Sequence, residues 1–177
     1  MGGLSSRMGS DKAFLVWEGK PLYLHAAQKL TLFCEEVFLS VNSAQKESHS
    51  FDHKVIIDIL EGNGPLAGIL SCHKSLRDTL LILGCDMPFL SHEDIFLLSQ
   101  SHKHENGCTL YYNTNRNCYE PMLSIWDINL LDKLETYFLN GGRSIQRFLI
   151  DHDVQKIMLP DERNFRNINT VVDWENI

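Results

Sequence analysis

Three short apolar runs punctuate the first half of the chain: 36–41 (EVFLSV), 54–57 (KVII) and 79–83 (TLLIL). Each stops at a polar or turn residue, respectively Asn42-Ser43, Asp58 and Gly84. The runs are continuous rather than alternating, which suits strands buried on both faces. Helical patterns lie between them. One runs from Pro21 to about 33 with proline at its start, and another from Pro65 to about 76. A third spans 91 to about 101, with Ser91 at the N-cap and Asp94 at the capping-box position. This alternation predicts an α/β domain with a mostly parallel, doubly wound sheet. Further on, the pattern predicts a hairpin (108–113 and 118–125, around Thr114-Asn115-Arg116-Asn117) and helices over 127–138 and 143–151. A short strand at 154–159 and a closing helix after Asn169 complete it.

In such sheets ligands bind outside the carboxyl ends of the strands. Asn42, Asp58 and Asp86 each follow a different predicted strand, so the fold brings them toward one crevice. Length supports one domain, residues 1–177. The net charge of −7 argues against a nucleic-acid surface. It also means that a polyphosphate substrate must be held by a few local cations, backbone N–H groups and a metal ion. No apolar stretch approaches the roughly 18 residues of a membrane span, and no secretory signal pattern opens the chain. The expectation is a cytoplasmic protein without a membrane partner. Cys34, Cys72, Cys85, Cys108 and Cys118 are odd in number and lack C-x-x-C spacing, so they read as buried thiols. His49/His53 and His102/His104 have no carboxylate or cysteine at metal-site spacing and read as solvated surface residues.

Four segments carry candidate chemistry. Gly2-Gly3-Leu4-Ser5-Ser6-Arg7-Met8-Gly9-Ser10-Asp11-Lys12 combines glycines that admit close backbone approach with two cations. It suits an anion cradle, or it is a solvated N-terminus; it has neither P-loop nor dinucleotide-fold spacing. Gly84-Cys85-Asp86-Met87-Pro88 places a carboxylate after a buried strand, as a Mg²⁺ ligand or as a turn cap. The stretch Gly62-Asn63-Gly64-Pro65-Leu66-Ala67-Gly68 opens a helix whose N-terminus offers free N–H groups. Asn167 and Asn169 alternate in an extended segment and so share a side.

Taken together, GGLSSRMGSDK, GPLAGI, DMPFL and FRNINT resemble, in order, the molybdenum cofactor guanylyltransferase family. They span residues 2–170, nearly the whole chain. The resemblance implies a Rossmann-like three-layer α/β/α sandwich of the nucleotide-diphospho-sugar transferase type. It implies transfer of GMP from GTP to a molybdopterin-type molybdenum cofactor, with Mg²⁺. Carried over by match, Gly2 and Gly3 approach the triphosphate, Lys12 neutralises it, and Asn42 and Asp58 contact the nucleoside. Asp86 holds Mg²⁺, and Asn167 and Asn169 lie on the pterin side. Arg7 is the candidate for charge on the transferring phosphates. Arg143, after Gly141-Gly142, either reaches the anionic pterin or is a surface arginine at a helix start. Further expected partners are other cofactor-biosynthesis proteins or apo-molybdoenzymes. The alternatives are cytidylyl or other nucleotidyl transfer to a cofactor or sugar phosphate, or a non-catalytic nucleotide-binding homologue. Family members carry an apolar strand ending in Leu-Ala just before the two glycines. That strand is expected to be missing here, with the true start upstream, which would leave its two neighbours with unpaired backbone groups.

Overall fold

The computed structural model describes residues 11–60, 64–104 and 107–168. Strand β1 (Val16–Trp17) and β2 (Lys20–Pro21) form a small hairpin. Its turn residues Glu18 and Gly19 both take positive φ, 46° and 78°. Helix α1 (Leu22–Leu30) follows, then β3 (Phe38–Val41), α2 (Ser43–Ser48) and β4 (Lys54–Ile57). Next come α3 (Pro65–Leu76), β5 (Leu80–Leu83) and α4 (His92–Ser101). The chain continues through β6 (Cys108–Asn113), β7 (Cys118–Trp126), α5 (Ile128–Leu139), α6 (Ile145–Ile150) and β8 (Gln155–Met158).

The continuous apolar runs are split residue by residue between two cores, as the two-residue period of a strand requires. In β5, Leu80 and Ile82 point into one cluster and Leu81 and Leu83 into another. In β6, Cys108 and Leu110 take the first side and Tyr111 the second. The first cluster is closed by Leu66, Ile69 and Leu70 of α3, Leu131 and Leu134 of α5, and Phe148 of α6. The second is closed by Ile95 and Leu98 of α4 with Leu90 and Phe165. Leu39 and Val41 of β3 pack on Ala27 of α1. Helices α3, α5 and α6 thus cover one face and α1 and α4 the other, giving the expected three layers.

The sheet is less parallel than the alternation implies. β3 pairs with β4, and β6 with β8, in parallel. β7 runs antiparallel between β5 and β6. The cause is local: a four-residue turn joins β6 to β7, and so short a connection permits only antiparallel pairing. Asn113 Oδ1 accepts from the Arg116 N–H there (3.0 Å), and Asn117 takes φ 51°.

Within the described residues the strands form a β3–β4 pair and a separate β5–β7–β6–β8 sheet. A cavity of about 920 Å³ lies between β3 and β5 and runs the length of both. Glu36 to Ser40 line one side and Thr79 to Leu83 the other.

Several helix ends fall where local signals put them. Pro65 opens α3, and Ser91 and Asp94 close a reciprocal capping box on α4. Pro21 sits at the N-cap of α1 rather than inside it, and α1 ends at Leu30, short of the expected 33. The helix expected after Asn169 lies outside the described residues.

Candidate active site

The carboxyl ends of β3 and β4 are tied together by a buried polar contact. Asp58 follows β4 and is 7% exposed. Its N–H donates to the Val41 carbonyl (2.7 Å), and its Oδ1 accepts from Ser40 Oγ (2.5 Å). Gly68 on α3 permits this arrangement: a Cβ there would stand 2.6 Å from Ser40 Oγ. Gly64, at the N-cap of α3, takes φ 55°, a conformation glycine adopts without strain.

One residue further along, Asn42 caps α2. Its Oδ1 accepts from the Gln45 N–H (2.8 Å), while its own N–H donates to Gln45 Oε1 (2.9 Å). The remaining amide group of Gln45, Nε2, donates to Asp11 Oδ2. Asp11 in turn caps the short 3-10 turn Lys12–Phe14 by accepting from the Ala13 N–H (3.1 Å). A buried glutamine (4% exposed) therefore relays the position of β3's end to the backbone of Lys12.

The third strand end carries Gly84-Cys85-Asp86. The Gly84 N–H donates to the Met122 carbonyl (2.8 Å). A Cβ on Gly84 would lie 2.9 Å from Asp86 Oδ1 and 3.1 Å from Met122 Cβ, so only glycine leaves room for the carboxyl. Burial pushes the Asp86 carboxyl above the usual carboxylate range, and the Lys12 ammonium partly offsets this. Burial likewise pushes the Cys85 thiol up to about 11, away from nucleophilic chemistry. The carbonyl of Asp86 accepts from the Ile168 N–H (2.9 Å), which brings the Asn164–Ile168 segment to the site. Beside that bond, Asn167 Oδ1 is buried without a hydrogen-bond partner among the described residues.

Met122 lines the far wall, next to Pro121. The β6–β7 register runs Leu110↔Ser124 and then Tyr111↔Glu120, so Pro121 to Leu123 stand outside it. Proline has no N–H for the ladder, and a break at that point is its natural place. The excursion sets Met122 against Gly84. Burial raises the Glu120 carboxyl, and Asp86 is close enough to raise it further against the pull of Arg116.

Lys12 and Asp86 thus line one cavity at the carboxyl ends of the strands. Asn42 and Asp58 sit at the neighbouring strand ends, as expected, but their oxygens serve a helix cap and the Ser40 hydroxyl. Arg143 does not join them. Its Nη1 donates to the carbonyls of Phe138 (2.8 Å) and Gly142 (2.7 Å), and its guanidinium lies 4.2 Å from the Phe138 ring centroid. It closes the C-terminal end of α5, a local role that matches the surface-arginine alternative. Gly2, Gly3, Arg7 and Asn169 lie outside the described residues.

Sequence reasoning missed Ser40, Gln45 and Glu120. Gln45 was legible as the fourth position of Asn42-Ser43-Ala44-Gln45, a capping-box spacing. His104 is solvent-exposed, as expected, but His102 is not. The His102 side chain is 9% exposed, and both rings meet the buried carboxylate of Asp127, 25 and 23 residues away.

The model of the MobA-like NTP transferase domain matches residues 1–156. The chain is 31% identical over 187 residues to the molybdenum cofactor guanylyltransferase of Ralstonia nicotianae, covering 99% of this chain and 92% of that protein. It is 32% identical over 182 residues to the probable molybdenum cofactor guanylyltransferase of Bacillus cereus, covering 98% and 90%. The crystal structure of molybdopterin-guanine dinucleotide biosynthesis protein A from Archaeoglobus fulgidus superposes with a TM-score of 0.81 at 25% identity, over 99% of this chain and 92% of that one. With CMP:2-keto-3-deoxy-manno-octonic acid synthetase in its CTP complex only the fold is shared, at a TM-score of 0.69 and 12% identity, over 93% and 89% of the two chains. With its site assembled at the strand ends and its motifs spread along the whole length, the chain belongs to the MobA-like NTP transferase family.

Proposed function

We propose that this chain transfers GMP from GTP to a molybdopterin-type molybdenum cofactor, giving the guanine dinucleotide form and pyrophosphate. One observation carries the reading. Lys12 and Asp86 line a common cavity at the strand ends, and the Ile168 bond fastens the Asn167 segment to Asp86 itself. A cation for phosphate and a carboxylate for a metal thus sit beside a segment able to face a second substrate.

The reaction asks little covalent chemistry of the protein. A terminal phosphate oxygen of the cofactor attacks the α-phosphorus of GTP. The bond from that phosphorus to the β-phosphate oxygen breaks, and pyrophosphate leaves with the electron pair. Positioning and charge neutralisation supply the catalysis. Lys12, fixed through Asp11 and Gln45, neutralises phosphate oxygens. The glycine-rich run through Gly2 and Gly3 approaches the triphosphate, and Arg7 adds charge to it. Asn167 and Asn169 face the pterin.

Mg²⁺ fits the donor set. Asp86 offers a carboxylate oxygen, the ligand type this ion takes alongside substrate phosphates. Burial raises its carboxyl against the pull of Lys12, and a divalent ion beside it would offset that cost further. When bound, Mg²⁺ would neutralise charge on the phosphates. Asp58 supports the nucleoside side through Ser40 and the end of β3.

The test is incubation with GTP, Mg²⁺ and molybdenum cofactor, with detection of the dinucleotide and pyrophosphate. Ranking GTP, CTP, ATP and UTP by thermal shift separates the nucleotide choices, since a ligand at 100 times its Kd adds about 2.7 kcal/mol. Preference for CTP, or GTP binding without turnover that Asp86→Ala leaves unchanged, would overturn the proposal.

A further inference from the structure

At the opposite end of the sheet from Asp86, four side chains from three separate segments converge. Thr79 precedes β5, His102 and His104 follow α4, and Asp127 follows β7. His102 Nε2 lies 3.3 Å and His104 Nδ1 2.9 Å from the same oxygen, Asp127 Oδ1. The imidazole rings are 5.2 Å apart and nearly perpendicular, at 80°. We infer that His102, His104 and Asp127 form a binding site for one Zn²⁺-class transition-metal ion, independent of the nucleotidyl-transfer site.

The spacing fits. Ligand bonds of about 2.0–2.2 Å in a tetrahedral zinc site put neighbouring ligand atoms about 3.3 Å apart. Two imidazoles and a carboxylate form a donor set that suits Zn²⁺, with water in the fourth place.

A second observation points the same way. Asp127 is 5% exposed, and its Oδ1 is met by Thr79 Oγ1 (3.1 Å) as well as by both histidines. Its Oδ2 is buried with no hydrogen-bond partner among the described residues. A buried carboxylate with one crowded oxygen and one empty one is poorly satisfied by hydrogen bonds alone. Nor is the carboxylate used as a cap: Asp127 occupies the N-cap of α5, but its side chain accepts no backbone N–H.

His102 is also held for ligation. Its Nδ1 is 2.9 Å from Thr109 Oγ1. With Nδ1–H donating to that hydroxyl, Nε2 keeps its lone pair toward Asp127, the outer arrangement that metal-bound histidines adopt. The other cluster of this kind, His73, Asp132 and Glu135, differs in one respect. Arg77 Nη1 already sits 2.7 Å from Asp132 Oδ1 and 2.9 Å from His73 Nε2. A cation occupies that focus, and none of the described groups does so at Asp127.

The site would pin the α4–β6 connection to the start of α5. It is tested on the whole protein, stripped with chelator and free of nucleotide, by titration calorimetry with Zn²⁺ and by the visible absorption of Co²⁺. One equivalent should bind, with a tetrahedral Co²⁺ spectrum and a raised Tm. His104 is 82% exposed, so His104→Ala should fold normally and weaken binding by at least about tenfold, the lower end of what loss of an outer-shell partner costs. Asp86→Asn should leave the titration unchanged, which keeps this site distinct from the phosphate site. Absence of one-equivalent binding, or undiminished binding in folded His104→Ala protein, would overturn the inference.

Discussion

The N–H of Ile168 donates to the carbonyl of Asp86 at 2.9 Å, joining the late asparagine segment to the proposed metal-binding turn across 82 residues of chain. Asn167 sits beside that bond with Oδ1 buried and, among the described residues, without a hydrogen-bond partner. A buried acceptor in that state carries its desolvation cost without a compensating bond, so it adds little to folding. Asn167→Ala should therefore leave Tm within about 3 °C of wild type, the shift that roughly 1 kcal/mol produces at this size. It should raise KM for the molybdenum cofactor about tenfold, corresponding to about 1.4 kcal/mol, and leave KM for GTP unchanged. A rise in KM for GTP alone would place Asn167 on the nucleotide side instead.

Asp86 has the reverse balance between stability and function. Its folded pKa is raised, chiefly by burial. Such a group favours folding below the unfolded carboxylate value of about 3.9 and loses that contribution as pH rises through the folded value. At pH 7 without divalent ions, the buried charge destabilises the fold. Asp86→Asn should raise Tm at pH 7, show little difference near pH 3.5, and abolish nucleotidyl transfer. Melting curves of both proteins in chelator across that range check the sign; a Tm gain that persists at pH 3.5 would have another cause.

The features legible in sequence were those whose partners are close in sequence. Ser91 and Asp94 are three apart, and Pro65 marks α3 unaided, so both helix starts fall where expected. The short turn at Thr114–Asn117 was legible as well, but not its consequence, the insertion of antiparallel β7 between β5 and β6. The site divides in the same way. Asp86 announces itself by following a buried strand. Gln45 and Asp11 are 34 residues apart, and Ser40 and Asp58 are 18 apart. Only the fold makes those pairs. Arg143 reads from its glycines as a ligand or as a surface arginine, and its acceptors are the Phe138 carbonyl at the end of the preceding helix and the loop carbonyl of Gly142.

Gln45 offers a test of that long-range connection. It bonds to the Asn42 N–H and to Asp11, whose turn carries Lys12. Gln45→Leu removes both contacts and should cost about 1–3 kcal/mol, since Asp11 and Asn42 lose buried partners. Asn42→Ala removes the α2 cap and should cost about 1 kcal/mol. If Gln45 also positions Lys12, Gln45→Leu should raise KM for GTP several-fold while Asn42→Ala changes it less. Steady-state kinetics at saturating cofactor would separate the two; equal effects on KM would reduce Gln45 to a capping residue.

The cavity between β3 and β5 has room for a further strand. Its walls are the facing edges of two strands with apolar side chains on both, including Leu39, Leu80 and Ile82. Neither edge pairs with another strand among the described residues. A strand placed there would satisfy both edges and bury about 1.5–3 kcal/mol per large apolar side chain. Ordering would offset about 1–2 kcal/mol per residue. A net gain of even 2 kcal/mol raises Tm by about 4–8 °C at this chain length. A five-residue Val/Ile-rich peptide added in trans should produce that rise, and a Gly/Ser peptide of equal length should not. Because Lys12 and Asp86 line the same cavity, the apolar peptide should also alter GTP binding. Equal melting temperatures with the two peptides would mean that the walls close on each other without a strand between them.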